Sequence, residues 1–423
     1  MLQEADAADR KIRPLPQPEP GLTAETLIER ARALQPMLRA QMAEADKVGR
    51  YSEEVHEAFR KAGLYRIMQP RLFGGYQYPP EVFLRVVMEI AQGHPAAGWC
   101  FCLGGSHAYF IACHYPLEVQ AELFGEDGEF RAAQVVFPGG TLTPAPGGYI
   151  ANGVWPFASG IPISTHFIGG GMVMQENGPP KHTFFTVPKG QFEILPDWGN
   201  DRFMGMQASG SNSVKLDNVF VPERFTLKAN MVMSSTAYPD GSPGTIGYDD
   251  PMYLGVLLGW FHCEFAAILS GTARAALEDF AEQARTKAVL GQPGVKRMSD
   301  PFVQNLYGRA LGLGQSAEAL MLTAIQSLAE RYVVAVRDHA PVTDRETLRI
   351  WGLAREACKM ACECVDLLFH NTGATAGRTD LNLQRWFRDI EMYRIHIQSQ
   401  PMVPTQRGAM ELGAAAHAAG PGR

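Results

Sequence analysis

The chain has 423 residues, of which 46% are hydrophobic and 19% charged, and its net charge is −6. This length allows two or three domains around a substantial core. The slightly acidic balance gives no electrostatic reason to expect nucleic acid or an anionic membrane as a partner. Seven cysteines, mostly in apolar helical patterns, favour reduced, buried thiols in a cytoplasmic protein.

The chain opens with residues 1–21, which are polar and rich in proline. They contain no apolar stretch, so we expect a flexible arm and neither a signal peptide nor a membrane anchor. Residues 22–127 then read as an N-terminal helical domain. Thr23 and Ser52 are candidate N-caps of its first helices, and residues 96–110 form an almost continuously apolar helical segment.

Residues 128–235 change character, because short β-branched runs alternate with Gly, Pro, Asn and Asp turns. That pattern predicts a small antiparallel barrel or sandwich. Residues 236–251 are rich in Gly, Pro and Ser and are expected to be a linker. Residues 252–423 are helical again. The predicted fold class is therefore α+β, with a central β domain between two helical ones.

Four long helices are expected in the last domain, and short loops between them predict a four-helix bundle. Thr343 and Glu346 have the spacing of a capping box. The most hydrophobic stretch, Tyr253 to Ser270, contains His262 and Glu264. It is barely long enough to span a bilayer, so a buried bundle helix is the better interpretation. The expected helices cover residues 252–289, 302–337, 344–369 and 381–397.

Three kinds of residue invite a chemical interpretation. Trp155, Phe157 and Ser159 alternate, so on one strand they would share a face; that face suits either a flat ligand or an apolar core. His107 and His396 are lone histidines in apolar helical patterns, where a core role is common. The cysteines at 358, 362 and 364 lack the paired spacing of a zinc site, so no metal is expected.

The order of helices, strands and helices resembles the acyl-CoA dehydrogenase superfamily from residue 22 onward. Local motifs support this resemblance at Gly63-Leu64-Tyr65, at Gly74-Gly75-Tyr76 and at Gly205 to Ser211 before Val219 to Pro222. The superfamily's catalytic carboxylate has no counterpart in the loop Gly373 to Gly377. Glu264 is a conceivable substitute, which leaves an FAD-containing acyl-CoA dehydrogenase as one alternative.

A closer resemblance is to the oxygenase components of two-component flavin monooxygenases, such as hydroxyphenylacetate hydroxylase. The segment Gly153 to Gly160 resembles their Gly-x-Trp-x-Phe-x-Ser-Gly element. His107 matches a histidine that follows a Gly-Trp helix, here Gly98-Trp99. His396 falls where their second active-site histidine follows an Arg-Asp pair, here Arg388-Asp389.

This resemblance implies an enzyme that takes reduced flavin (FMNH2 or FADH2) and O2, forms a C4a-hydroperoxyflavin and hydroxylates or oxygenates a small aromatic or heteroaromatic substrate. The chain lacks a GxGxxG fingerprint after a strand, so a separate reductase is expected to supply the flavin by diffusion. A homotetramer is also expected, because long apolar helices need more cover than one chain provides.

The resemblance also implies roles for individual residues. Gln134 to Gly139 depart from the family's pattern, so the substrate is not carried over, and an N- or S-oxygenase or a non-catalytic member of the fold stays open. The implied residues are His107 and His396 for catalysis; Trp155, Phe157, Ser159, Arg285, Gly373 and Thr375 for flavin; and Gln134, Val135, Phe137 and Tyr393 for substrate.

Overall fold

The computed structural model describes residues 12–175, 178–233, 238 and 240–413. The predicted arm lies partly outside this range. Its described end is anchored, since Leu15 bridges to Phe73 and the Gln17 amide donates to the Gly75 carbonyl at 2.8 Å. Part of the predicted linker also lies outside, and the rest holds one short helix, Pro243–Tyr248, and the first residue of a second, Pro251–Leu254.

Helices at both ends of the chain flank a sheet region, as predicted. The positions of the domain boundaries stay predictions. The helices are, in chain order, α1 (Ala24–Ala33), α2 (Gln35–Val48), α3 (Glu53–Lys61), α4 (Pro80–Gly93), α5 (Pro95–Gly105), α6 (His107–His114), α7 (Leu117–Phe124), α8 (Ala229–Met233), α9 (Pro243–Tyr248), α10 (Leu257–Thr286), α11 (Pro301–Arg337), α12 (Asp344–His370), α13 (Leu383–Arg394) and α14 (Met402–Glu411).

Local sequence signals account for several helix ends. The Thr23 and Ser52 side chains accept from backbone N–H groups three residues on, as N-caps do. Thr343 and Glu346 form the complete capping box at the start of α12. The apolar segment 96–110 is divided at Ser106 into α5 and α6, so the expectation of one continuous helix is wrong.

The central region forms a seven-stranded sheet in the order β5-β6-β2-β1-β3-β4-β7. Its neighbours β1 and β3 pair in parallel, from Ala132 opposite His166 onward. The purely antiparallel arrangement expected from the sequence is therefore wrong at this pair. The strands are β1 (Ala132–Ala145), β2 (Gly148–Trp155), β3 (His166–Val173), β4 (Lys181–Pro188), β5 (Glu193–Ile194), β6 (Val214–Pro222) and β7 (Thr226–Lys228).

Helix α10 is the centre of the C-terminal region. It packs against α11, α12 and α13 of the bundle and also against α4 and α5 of the N-terminal helices. Contact on both sides explains why its sequence is so apolar, and the interpretation of 253–270 as a buried bundle segment fits these contacts. A short hairpin that the sequence did not predict, β8 (Ala288–Val289) and β9 (Gln292–Lys296), follows α10.

One described helix, α11, is long and apolar enough to cross a membrane by length and composition. It is a different helix from the one singled out in the sequence. In this structure it lies along α10 and α12. Those contacts bury one face of the helix, and 33% of its most apolar 18-residue stretch is buried in this structure.

Candidate active site

A cavity of about 680 Å³ opens between the N-terminal helices, the sheet and the segment around α13. Its volume is in the range of cofactor and substrate pockets. Most of its wall is apolar. The lining residues include Trp99, Leu103, His107, Gln134, Val135, Phe137, Phe157, Ser159, Arg202, Met206, Ser209, Ser211, Phe261, Phe265, Ile395, His396 and Gln398.

Strand β1 supplies the predicted substrate residues through an irregularity. Its pairing with β3 shifts register between Val135 and Pro138 and again before Gly140, as bulges beside active sites do. Gln134, Val135 and Phe137 all line the cavity. Both amide atoms of the Gln134 side chain are buried and lack a hydrogen-bond partner within the described part of the chain. The Gln134 side chain lies beside His107, where it opposes the lowering of the histidine pKa by burial, so the two residues face the ligand space together.

The three predicted flavin residues of the second strand do not share one face. Strand β2 ends at Trp155, and Phe157 adopts a positive φ of 59° that breaks the alternation. Trp155 is fully buried in the sheet core, and its indole N–H donates to the Gly170 carbonyl at 2.6 Å. Phe157, 61% exposed, and Ser159 line the cavity instead. The expectation that Trp155 contacts the ligand is therefore wrong.

Ser159 belongs to a row of hydrogen-bonding groups in the cavity wall. The Trp99 indole N–H donates to the Ser159 hydroxyl at 3.0 Å. The Ser159 and Ser211 oxygens are 2.7 Å apart, as are those of Ser211 and Ser209. Both Ser209 and Ser211 also line the cavity. In the sequence, Ser209 and Ser211 indicated only the fold motif Gly205 to Ser211, and no role in the site was predicted for them.

His107 begins α6 and reaches the cavity beside Gln134. Its Nδ1 lies 2.7 Å from the Ala132 carbonyl, which only accepts, so the hydrogen sits on Nδ1. Its Nε2 is buried and has no hydrogen-bond partner among the described residues. Burial lowers the pKa of His107 to about 4, while interactions with the backbone of Ala132 and Leu103 and with the Gln134 side chain oppose this shift. The ring is therefore neutral at pH 7 and Nε2 is an acceptor.

His396 enters the cavity from the other end of the chain. It lies just after α13, not within a helix that reaches 397 as predicted. Its Nδ1 accepts from the Gln398 backbone N–H at 3.2 Å, so Nε2 carries the hydrogen. Its ring packs near Trp99 and Phe265, with centroid distances of 5.8 and 5.1 Å. Burial lowers the pKa of His396 to about 4, so this ring is also neutral.

Four other predicted residues lie outside the cavity wall. Tyr393 sits behind Phe265, with ring centroids 5.9 Å apart, and is almost fully buried. The Arg285 side chain is mostly exposed near the end of α10, at 4.0 Å from Glu282. Gly373 precedes a short 3-10 helix, Ala374–Gly377, that contains Thr375, and both residues are exposed. Tyr393 is still next to the site, since its carbonyl accepts from the His396 backbone N–H at 2.9 Å, whereas Arg285, Gly373 and Thr375 are not brought together with the histidines in a single chain.

Glu264, the candidate base of the dehydrogenase alternative, is fully buried on α10. Its carboxyl is 3.8 Å from the Cys102 thiol, and one of its oxygens has no partner in the described ranges. Burial raises the pKa of Glu264 to about 8, so the group is mostly neutral at pH 7. Among the described residues, no carboxylate lines the cavity. The dehydrogenase alternative therefore has no base in position.

Sequence reasoning missed several contributors to the site. In the sequence, Trp99 marked only the Gly98-Trp99 pair that precedes His107, and no contact with the cavity was predicted for it. Phe265 and Gln398 lie next to residues already under discussion, but neither has a recognisable motif. The neighbouring aromatic pair Trp198 and Phe203, with stacked rings 3.9 Å apart, borders Phe157. Only the folded arrangement identifies these residues as cavity walls.

Comparison with known proteins agrees with this architecture. Residues 263–401 match the acyl-CoA dehydrogenase C-terminal domain. The chain is 27% identical over 376 residues to the oxygenase subunit HsaA, a flavin-dependent monooxygenase of Rhodococcus jostii (strain RHA1), covering 88% of this chain and 94% of the relative. It is 25% identical to the oxygenase component of p-hydroxyphenylacetate 3-hydroxylase from Acinetobacter baumannii, covering 89% and 86%.

Solved structures show the same fold. The 3-HSA hydroxylase of Rhodococcus sp. RHA1 superposes with a TM-score of 0.82 at 25% identity, covering 93% of this chain and 98% of the other. XiaF from Streptomyces sp., in complex with FADH2 and glycerol, gives a TM-score of 0.84 at 22% identity, covering 93% and 97%.

The chain therefore has the acyl-CoA dehydrogenase fold. Within that fold its relatives are the oxygenase components of flavin-dependent monooxygenases, and the resemblance predicted from the sequence is confirmed. No carboxylate base stands among the described cavity residues, which agrees with monooxygenase relatives more than with a dehydrogenase.

The residues present fit a flavin. A flat, mostly apolar ring needs an apolar slot with a few hydrogen bonds at its polar edge. Phe157 offers an exposed aromatic face at the cavity, and Ser159 offers a hydroxyl beside it. The unpartnered amide of Gln134 supplies a further polar contact.

Proposed function

We propose that this chain is the oxygenase component of a two-component flavin monooxygenase that oxygenates a small aromatic or heteroaromatic substrate. One observation carries the proposal: His107, His396 and Ser159 line one largely apolar cavity whose described walls hold no carboxylate. Reduced flavin supplies the electrons that activate O2. The protein must bind both ring systems, exclude water and place a few polar groups.

The flavin is assigned to the side of the cavity formed by Phe157 and Ser159. The Phe157 ring is exposed and edge-on to Trp198 and Phe203, with centroid distances of 6.2 and 6.3 Å. Aromatic faces of this kind stack on flat ring systems. Arg285, Gly373 and Thr375 are assigned to the same cofactor only across a subunit contact, because they lie on the surface of a single chain.

The substrate is assigned to the side formed by Gln134, Val135, Phe137 and His107. The bare Nε2 of His107 is a hydrogen-bond acceptor, and the Gln134 amide both donates and accepts. A ring substituent that donates a hydrogen bond, such as a hydroxyl or an N–H, satisfies His107. His396 presents an N–H donor from the part of the wall formed with Trp99 and Phe265, where it would hold a proton near the reacting atoms.

The sequence-based expectation of a homotetramer remains a proposal. Large apolar side chains stand exposed along the hairpin and α11, among them Leu290, Phe302 and Val333. Packing of further subunits against these residues would cover them. Light scattering at micromolar concentration tests this directly, since a monomer would contradict it. A cytoplasmic location is proposed as well, and seven buried, unpaired cysteines support it.

Anaerobic titration with reduced FMN and FADH2 tests the proposed function. The protein should bind reduced flavin, and with NADH or NADPH plus flavin alone it should show no oxidation of the nicotinamide. Addition of any flavin reductase should then support turnover of an aromatic substrate. Rapid NADH consumption by the purified protein without a reductase would contradict the two-component assignment.

A further inference from the structure

Three serine hydroxyls stand in a row in the cavity wall. Ser159 and Ser211 are joined by a 2.7 Å contact, and Ser211 and Ser209 by another of 2.7 Å. All three are buried, and all three line the cavity. Trp99 closes one end of the row with its 3.0 Å hydrogen bond to Ser159. Each hydroxyl of the row therefore borders the same ligand space.

The number of hydrogens in this row restricts what it can present. An indole N–H only donates, so Trp99 occupies one lone pair of Ser159 permanently. Each serine has one hydrogen and Ser211 can donate to only one neighbour, which leaves three orders for the row. If Ser209 donates to Ser211 and Ser211 to Ser159, the Ser159 hydrogen is free for the cavity. In the other two orders Ser159 donates to Ser211 and offers the cavity a lone pair, while the Ser211 hydrogen goes either to Ser209 or, when Ser209 also donates to Ser211, to the cavity.

We propose that Ser211 is a positioning residue that lets Ser159 alternate between donor and acceptor as the bound flavin changes redox state. The inference rests on the proposed function. A ring nitrogen of flavin carries a hydrogen in the reduced form and a lone pair in the oxidised form. The first form needs an acceptor at Ser159 and the second needs a donor. Reversal of the row requires only rotation of three O–H bonds and breaks no covalent bond.

Removal of the middle hydroxyl makes the inference testable. In Ser211→Ala, Ser159 can still donate to oxidised flavin. It can accept from reduced flavin only if its own hydrogen stays unpaired in a buried site, which is costly. The affinity for reduced flavin relative to oxidised flavin is therefore expected to fall about tenfold, at the lower end of the cost of an unsatisfied buried group.

Ser209→Ala breaks the same row from its far end. It removes the Ser209 acceptor for the Ser211 hydrogen in one of the two orders that reduced flavin can use, so it is expected to shift the affinity ratio in the same direction by a smaller factor than Ser211→Ala. Ser211→Thr keeps the hydroxyl and should keep the wild-type ratio. Ser213→Ala is the matched control, because Ser213 is a buried serine of the same segment outside the row.

The experiment measures dissociation constants of oxidised and anaerobically reduced FMN and FAD for wild type and these four variants, with the melting temperature of each. A lowered preference for reduced flavin in Ser211→Ala and Ser209→Ala, absent from Ser211→Thr and Ser213→Ala, supports the inference. An unchanged ratio in the folded alanine variants of the row overturns it while wild-type binding stands. Wild type that binds neither form overturns the proposed function, and the inference with it.

Discussion

His107 and His396 line one cavity and carry their hydrogens on opposite ring nitrogens. The Ala132 carbonyl holds the hydrogen of His107 on Nδ1, whereas the Gln398 backbone N–H leaves the hydrogen of His396 on Nε2. The cavity thus has one imidazole acceptor and one imidazole donor, both neutral because burial lowers the pKa of each to about 4. His107 can therefore accept a hydrogen bond from the substrate while His396 donates one to an oxygen atom that comes from O2.

His396→Ala is expected to uncouple oxygen consumption from product formation. Without the Nε2 hydrogen, oxygen is still consumed but is released as hydrogen peroxide. Product should fall by roughly 10²-fold, the usual scale for a lost acid–base group. Product, hydrogen peroxide and melting temperature are measured on the same sample.

His56 is the control for this substitution. It is buried, its Nδ1 lies 2.9 Å from the Tyr65 hydroxyl, and it is not among the residues that line the cavity. His56→Asn should lose thermal stability while the ratio of product to peroxide in the folded protein stays unchanged. A normal ratio in His396→Ala would remove His396 from the mechanism.

The depressed histidine pKa values predict acid sensitivity of the fold. Between pH 6.5 and about 4 the unfolded chain binds protons that buried His107 and His396 do not. The free energy of unfolding should therefore fall as the pH falls through this window, by up to about 3 kcal/mol for each histidine. Urea unfolding at about pH 7, about pH 5.5 and about pH 4.5 measures the slope.

His396→Gln removes one titrating group and should unfold with a shallower pH slope than wild type. Above pH 6 both rings stay neutral, so the ratio of product to peroxide should be flat from about pH 6 to 8. Equal slopes for wild type and His396→Gln would show that His396 does not titrate as the structure implies.

Glu264→Gln is expected to stabilise the protein at alkaline pH. The folded pKa of Glu264, about 8, exceeds its ordinary value of 4.5 because the carboxyl is buried. The stability that the neutral form contributes is thus lost as the pH rises through 8. Glutamine mimics the neutral acid without titrating, so the variant should exceed wild type by a few kcal/mol at pH 9 and by less at pH 6. Unfolding in urea at both pH values checks this, and an equal difference at both would contradict it.

Substitutions of Phe157 and Trp155 should affect different properties, the first flavin binding and the second stability. Phe157→Ala removes an exposed ring and is expected to weaken reduced-flavin binding roughly 3- to 10-fold, the scale of one aromatic stacking contact. Its melting temperature should hardly change. Trp155→Ala empties a fully buried site and should cost about 3–5 kcal/mol of stability. Flavin binding by the protein that stays folded should be unchanged, and the reverse pattern would show that Trp155 contacts the flavin.

Features that depend on neighbouring residues were predictable from the sequence. The Ser52 cap and the Thr343 capping box are each contained within four residues, and the structure has both.

The resemblance to flavin monooxygenases also placed three residues that are distant in the chain, His107, Ser159 and His396, in one site, and all three line one cavity. Motif order carries such information because the fold positions the motifs.

Features that depend on distant residues were not predictable. The parallel pairing of β1 with β3 is a choice of partner that neither strand encodes alone. The prediction that Trp155, Phe157 and Ser159 share one face was wrong because the strand ends at Trp155 and Phe157 has a positive φ. The row from Trp99 through Ser159 and Ser211 joins segments about 60 and 50 residues apart, so only folding reveals it.

A single turnover with ¹⁸O2 tests the central claim most directly. Reduced flavin is bound anaerobically, an aromatic substrate is added, and labelled oxygen starts the reaction in the absence of any reductase. The product is predicted to gain one ¹⁸O atom in wild type, and most of that product should be lost in His396→Ala. Oxidation of the flavin with no labelled product across a panel of phenols and indoles would contradict the account.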